Sequence, residues 1–332
     1  MCGSDHLDIR KASQSKLTEQ NLTIEPDTSP DETILAHSGY VAVVGRPNVG
    51  KSTLMNRILG EKIAIVSPKP QTTRLRQLGI YSQQDVQIVF IDTPGIHQPR
   101  HKLGEFMVSV ALEALRDADL ILFVVDVSAA PDPEDIRVAE LLKESRTGSP
   151  ILLACNKIDR AKPEQLVANT EAYRALVPDA DWTTLSATRG DGVDDLMQRV
   201  IAKLPAGPQF FPDDQLSETS LRDIAAEIVR EKALLNTEQE VPHAVAVEVD
   251  EFKERSATLT YIGAHLYVER DSQKGILIGK GGAMLKKISS EARADLEKLL
   301  STQVYLELRV KVLKNWRRDE AMLRRLGYRI GK

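Results

Sequence analysis

Cysteine is nearly missing from this chain: Cys2 and Cys155 are the only two among 332 residues. Two thiols build neither a disulfide framework nor a zinc set, which suits a reducing cytosol. Long apolar runs are missing too. Residues 120–125 (LILFVV) form one of the most apolar stretches, far short of the ~20 residues a membrane-spanning helix needs. Residues 1–36 lack the apolar core of a signal peptide, and Cys2 lacks the apolar stretch before it that a lipoprotein signal requires. Their polar, aperiodic composition predicts a disordered leader. No internal repeat is evident. The net charge of −4 is unremarkable but hides an asymmetry. Residues 270–332 hold 16 Lys and Arg against 7 Asp and Glu, a basic stretch that points to nucleic acid and leaves the remainder acidic.

What is present is sharper. Gly45-Arg46-Pro47-Asn48-Val49-Gly50-Lys51-Ser52-Thr53 follows the apolar run 40–44 (YVAVV), and so predicts strand, glycine-rich turn and helix in the order a phosphate-binding loop requires. Glycines let backbone N–H groups close around phosphate oxygens, and the helix N-terminus adds its positive end. Lys51 would reach the β- and γ-phosphates, and the Ser52 hydroxyl would hold Mg²⁺. Asp92-Thr93-Pro94-Gly95 follows strand 86–91 and places an acid beside the metal and the γ-phosphate. The Gly95 N–H is expected to meet that phosphate and sense its loss.

The base is read elsewhere. Asn156-Lys157-Ile158-Asp159 follows strand 151–155. A carboxylate at Asp159 accepts from guanine N1–H and its amine; adenine would leave it without either donor. Ser186-Ala187-Thr188, after strand 182–185, is expected to offer N–H groups to the guanine carbonyl. Four such pieces in order, each behind a strand, predict a GTPase domain that uses GTP, GDP and Mg²⁺.

Apolar strands and helical periods alternate between residues 40 and 204, which predicts a doubly wound, mostly parallel α/β sheet with an edge strand at 74–82. The expected domains are 37–205, a linker at 206–216 marked by Pro205, Pro208 and Pro212, and 217–332. The second domain is expected as helix 219–235, strands 243–251 and 257–268, helix 285–299, strand 303–312 and a last helix 315–326. Ile278-Gly279-Lys280-Gly281-Gly282 would be a tight turn that a nucleic-acid backbone can approach, with Lys280 as a phosphate contact and Lys286 and Lys287 on the basic helix behind it. This is the pattern of a KH module for single-stranded RNA. Trp316 either stacks on RNA or seats the last helix on the core, with Arg317 and Arg318 as RNA contacts. His97 and His101 are expected as solvated residues.

Residues 39–329 resemble the Era family of ribosome-associated GTPases. The resemblance rests on the 45–53 loop, Pro70-Gln71-Thr72-Thr73-Arg74, Asp92-Thr93-Pro94-Gly95-Ile96 and Asn156-Lys157-Ile158-Asp159. It also rests on Val229-Arg230-Glu231-Lys232, Leu266-Tyr267-Val268-Glu269-Arg270, the 278–282 turn and Leu326-Gly327-Tyr328. It implies a P-loop GTPase domain followed by an α+β type II KH domain. It implies binding to the 3′ end of small-subunit ribosomal RNA, assistance to maturation of the small subunit, and a monomer in the cytoplasm attached peripherally to the inner face of the membrane. It makes Thr73, with Thr72 as the alternative, the switch residue that reaches Mg²⁺, and Asn48 a holder of K⁺ beside the phosphates. Ile96 stands where Ras-like GTPases place a water-orienting glutamine, so hydrolysis is expected to be slow. Two rivals are a metabolic GTPase, for which the basic module has no use, and an RNA chaperone with a vestigial nucleotide site, against which the intact motifs stand.

Overall fold

The computed structural model describes residues 34–328 apart from residues 68, 70, 71, 100, 146, 147, 214, 216 and 218. Most of the expected leader, Cys2 and the Pro70-Gln71 part of the resemblance lie outside the described residues. In chain order come β1 (Ile34–Leu35), β2 (His37–Val44), α1 (Lys51–Leu59), β3 (Gln77–Gln83), β4 (Val86–Asp92), α2 (Lys102–Asp117) and β5 (Leu120–Asp126). Then follow α3 (Pro133–Ser145), β6 (Ile151–Asn156), α4 (Pro163–Leu176), β7 (Asp181–Thr184) and α5 (Val193–Lys203).

Strand order is β3-β4-β2-β5-β6-β7, with β3 antiparallel at the edge and every other pair parallel. The near-continuous apolar strands make sense because the pleat sends alternate residues into two separate cores. Val41, Val43, Leu120, Leu122 and Val124 pack with Leu54 and Met55 of α1 and Leu196 and Val200 of α5. Ala42, Val44, Ile121, Phe123 and Val125 pack on the other face with Leu115 of α2, Val138 of α3 and Tyr173 of α4. From β2 the chain runs through α1 to the β3/β4 side, and from β4 through α2 to β5. The carboxyl end of β2 is thus a topological switch point, where sheets of this kind bind ligands.

The expected boundaries shift at both ends of this domain. Ile34 and Leu35, assigned to the leader, form β1, which pairs antiparallel with β8 (Gly207–Pro208) inside the expected linker. Ser38 Oγ donates to the Pro208 carbonyl at 2.7 Å. The Phe210 and Phe211 N–H groups donate to Gln87 Oε1 at 2.7 and 2.9 Å. The linker is strapped to the first domain, not free of it.

The second domain comprises α6 (Leu221–Asn236), α7 (Val241–Ala244), β9 (Ala246–Ser256), β10 (Leu259–Val268), α8 (Asp271–Ile278), α9 (Ala283–Leu300), β11 (Gln303–Val312) and α10 (Glu320–Arg325). Its sheet has the order β11-β10-β9, parallel between β10 and β11 and antiparallel between β10 and β9. Ala225 and Val229 of α6, Leu277 of α8 and Ile288, Ala292 and Leu296 of α9 cover one face. Two expectations fail locally. His243 lies in the short helix α7 and not in a strand. The last helix is broken: Trp316–Arg318 is a single 3₁₀ turn, and Asp319 starts α10 afresh by accepting from the Ala321 and Met322 N–H groups.

The two domains share a fourth apolar cluster. Leu103, Phe106, Met107 and Val110 of α2 meet Ala246, Tyr267, Trp316, Leu323 and Tyr328.

Candidate nucleotide site and RNA-binding turn

The loop after β2 turns on Gly50, whose φ of 104° is left-handed. A Cβ there would sit 2.4 Å from Asn156 Nδ2, so only glycine lets the two loops approach. Lys51 opens α1 and is buried; its ammonium donates to the Gly45 and Arg46 carbonyls at 3.0 Å each. Burial pushes its pKa down to about 8, against the opposing pull of Asp92. A polyphosphate would raise it again. Arg46 is braced from behind, its Nε 2.9 Å from Oδ2 of Asp135, which also accepts from Tyr173. Val49 is buried in the core beneath the loop.

Three oxygens converge beside the loop. Ser52 Oγ donates to Asp92 Oδ2 at 2.6 Å, and Thr73 Oγ1 lies 3.0 Å from Ser52 Oγ and 3.3 Å from Asp92 Oδ2. Asp92 is fully buried, and its Oδ1 has no hydrogen-bond partner among the described residues. Burial raises its pKa, while Lys51 and the two hydroxyls pull it back. Two hydroxyls and a carboxylate with an orphaned oxygen are hard donors of the kind Mg²⁺ takes, so the residues fit the ion. Among the described residues no His, Cys, Asp and Glu cluster could hold a metal by itself. Phosphate oxygens would have to complete the set.

Beyond Asp92, Thr93 Oγ1 donates to the Val43 carbonyl at 2.8 Å, and Pro94 is buried. Gly95 lies close against Pro47. Ile96 donates its N–H to the Gly45 carbonyl at 3.2 Å and sends its side chain, 1 % exposed, into the core. The expectation of solvated histidines is overturned. His97 is buried, with Nδ1 2.8 Å from the Gly95 carbonyl, and His101 is half-buried, capping α2 by accepting from the Gly104 N–H.

The base-reading loops are tied to the phosphate loop. Asn156 Nδ2 donates to the Val49 carbonyl at 2.8 Å, and its Oδ1 accepts the Ala187 N–H at 2.9 Å. Lys157 Nζ bridges the Asn48 carbonyl and Asp126 Oδ2, both at 2.6 Å. Ser186 Oγ donates to Asp159 Oδ1 at 2.7 Å, while the Ser186 N–H goes to the Asp191 carbonyl. The N–H groups of Ser186 and Ala187, expected to face a base carbonyl, are both engaged within the loops. Sequence reasoning also missed Asp126, Arg57 (Nε 3.2 Å from the Ala187 carbonyl) and Arg160. Asp126 ends β5 at the ligand edge of the sheet, a signal that was there to use. A cleft of about 500 Å³ unites Asn48, residues 50–53, Thr72, Thr73, Gly95, Asn156, Lys157, Arg160 and Ala187.

In the second domain α8 ends at a turn in which Gly279, Gly281 and Gly282 all have positive φ. A Cβ on Gly279 would meet the Met284 Cβ at 2.7 Å. Lys280, Lys286 and Lys287 are exposed, and Ile278 packs on the core beneath. Arg317 pairs with Glu269 at 2.5 Å and lines a second cleft with His97, His101 and His243. Arg318 is exposed beside it. Trp316 is fully buried and donates Nε1–H to the Ala244 carbonyl at 3.0 Å; of its two readings, the core one holds.

Known proteins share this arrangement. The family profile described as 50S ribosome-binding GTPase matches residues 40–157, and the KH domain profile matches residues 240–317. The GTPase Era of Geobacter metallireducens is 53% identical over 292 residues, covering 88% of this chain and 97% of that protein. That of Ruminiclostridium cellulolyticum is 48% identical over 295 residues, covering 89% and 98%. This chain belongs to the Era family of GTPases. A crystal structure of Era with MgGDPNP and nucleotides 1506–1542 of 16S ribosomal RNA superposes with a TM-score of 0.84 at 40% identity, covering 88% of this chain and 99% of that one. An Aquifex aeolicus Era variant bound to GDP·AlF4⁻ gives the same TM-score, identity and coverage. The Era fold, a P-loop GTPase domain followed by a KH domain, and the hydrolysis of GTP follow from this membership. No described helix is long and apolar enough to cross a membrane.

Proposed function

We propose that this GTPase is a switch that binds the 3′ end of small-subunit ribosomal RNA through its KH domain and assists assembly of the small subunit. One observation carries the reading. The cleft that unites the phosphate and base loops includes Thr72 and Thr73, and the next residue, Arg74, is buried against the KH domain. The nucleotide cleft and the KH domain thus meet in one segment. The 50S description of the GTPase profile and the 16S RNA of the structural neighbour name different subunits. The 16S complex, in which a whole Era chain is matched, favours the small one.

In this reading backbone N–H groups of residues 45–53 cradle the phosphates, and Lys51 sets its ammonium against the β- and γ-oxygens. Ser52 and Thr73 present hydroxyls to Mg²⁺, and Asp92 orders both. A Mg²⁺ held by these residues would neutralise charge developing on the phosphates. The Gly95 N–H faces the γ-phosphate. Asp159 accepts from guanine while Asn156 and Lys157 hold the loops that present it. With Ile96 in the core, no side chain at that position orients the attacking water, and hydrolysis is slow. Asn48 helps to hold K⁺ as a further positive charge. On the RNA side Lys280, Lys286 and Lys287 meet phosphates at the Gly279–Gly282 turn, with Arg318 as an outlying contact. A monomeric state and attachment to the inner face of the membrane enter this reading from the family resemblance alone, and cytoplasmic residence from that resemblance together with the scarcity of cysteine.

GTP turnover with and without the RNA, joined to sequencing of RNA crosslinked to the protein in cells, tests the reading. Recovery of the small-subunit 3′ end is expected. Turnover without any recovered ribosomal RNA would leave a GTPase of another purpose.

A further inference from the structure

The segment carrying Thr73 is laid along one helix of the KH domain. Lys62 Nζ and the Val66 N–H both bond Glu231, at 2.6 and 3.2 Å. Lys69 Nζ donates to the Leu234 and Thr237 carbonyls. Arg230 Nη2 donates to the Thr72 carbonyl. Residues 230, 231 and 234 share one face of α6, and Thr237 caps its end. Past Thr73 the Arg74 guanidinium, fully buried, donates to the Val245 and His243 carbonyls at 2.6 and 3.0 Å. Thr73 is therefore pinned on both sides by the KH domain while its own hydroxyl turns to Ser52 and Asp92.

Arg230 holds the nearer pin. It is 1% exposed, and Glu227 aligns its guanidinium by accepting from Nε at 2.8 Å. Only one peptide unit separates the Thr72 carbonyl from the Thr73 side chain, so fixing that carbonyl fixes where the hydroxyl falls. A short, neutral metal ligand gains its effect from placement alone, and small displacements there cost heavily.

We propose that Arg230 is a positioning residue for GTP hydrolysis: by clamping the Thr72 carbonyl it delivers the Thr73 hydroxyl to Ser52 and Asp92, so that the KH domain completes the switch half of the nucleotide site in cis. This rests on the reading of Thr73 as a metal-reaching residue. If Arg230 were only glue between domains, its loss would loosen the fold without distinguishing GTP from GDP, because GDP carries no γ-phosphate for the Thr73 segment to close upon.

The experiment uses the full chain, with Arg230→Met, Arg230→Lys and, as the control for that reading, Thr73→Ala. Equilibrium affinities for a non-hydrolysable GTP analogue and for GDP are measured with Mg²⁺ and with EDTA, followed by single-turnover hydrolysis. Arg230→Met should weaken the Mg²⁺-dependent affinity for the analogue about tenfold, the scale of one charge-assisted hydrogen bond. Its GDP affinity should stay within about twofold, and Arg230→Lys, which keeps a charged donor, should recover part of the loss. If Arg230→Met does not fold, the same selective loss at a smaller size is expected of Arg230→Lys. Equal losses for both nucleotides, or none, beside a selective loss in Thr73→Ala, would overturn the role of Arg230 alone. No selective loss in Thr73→Ala would remove the reading of Thr73 and the proposal with it.

Discussion

The Arg74 guanidinium lies 5.6 Å from the centre of the Trp316 ring, within reach of a cation–π contact. Each residue is fully buried, and each comes from a different domain. Arg74 directly follows the threonine at the nucleotide site. Trp316 is anchored through Nε1 to the Ala244 carbonyl, next to the Val245 carbonyl that Arg74 itself holds. The seam between GTPase and KH domains is thus built on the chemistry-bearing segment.

Trp316→Ala should therefore destabilise the whole chain by about 4 kcal/mol, the scale for emptying a tryptophan-sized site in a packed core. It would also leave the Ala244 carbonyl and one face of Arg74 without their partners. Denaturant unfolding followed by circular dichroism checks this. A loss below about 1 kcal/mol would place Trp316 outside the cooperative core.

Asp159→Asn should shift base preference from guanine towards xanthine. An asparagine amide donates to the carbonyl that xanthine carries in place of the guanine amine, and its own carbonyl still accepts from N1–H. Competition between guanosine and xanthosine triphosphates measures it. Retained guanine selectivity would assign base reading to another residue.

The seam should weaken in acid. His101 and His243 both have pKa values lowered from the ordinary 6.5, first by burial and then by neighbouring arginines, Arg317 for His101 and Arg74 for His243. The folded state thus favours neutral rings. The unfolded chain binds more protons below pH 6.5, so the stability these rings contribute is present above that value and drains away as pH falls towards the folded pKa values. Thermal unfolding at pH 7.5 and 5.5 should show a smaller acid loss in His243→Gln than in the parent. Identical losses would acquit His243.

Hydrolysis should be faster in potassium than in sodium, with Asn48 as the side chain responsible. Asn48 has φ 64°, so alanine there would strain the loop for reasons unrelated to any cation. Asn48→Gly removes the side chain and tolerates the backbone. The expected variant turns over at one rate in both salts. A preserved potassium preference would move the cation elsewhere.

Much of the nucleotide site was legible because its constraints are local. A loop that turns tightly against Asn156 needs glycine at position 50, and the 156–159 loop lies at the carboxyl end of β6, the edge of the sheet to which the sequence assigned it. The alternation of apolar strands with helical periods announced a sheet covered on both faces. The rest depended on partners far away in sequence. Arg74 and Arg230 entered only as letters of the family resemblance; their role shows where each meets a carbonyl of the other domain. Pro205 and Pro208 read as linker until Gly207 and Pro208 pair with Ile34 and Leu35. Trp316, beside two arginines, left an RNA contact open against the core reading. Asn315 has φ 56° and Asp319 caps α10, so the last helical period breaks and turns the indole inward.

In the proposed switch, nucleotide state governs the RNA grip of the Gly279–Gly282 turn. Filter binding to a single strand carrying the small-subunit 3′ end, with GDP and with a non-hydrolysable GTP analogue, measures it directly, using the parent and the double variant Lys280→Asp with Gly281→Asp. The parent's RNA affinity should differ between the two nucleotide states. The double variant should bind weakly in either state while keeping its nucleotide affinity, and any residual binding should lose about one phosphate contact from its salt dependence. Equal RNA affinity in the two nucleotide states, or parent-like binding by the double variant, would contradict the account.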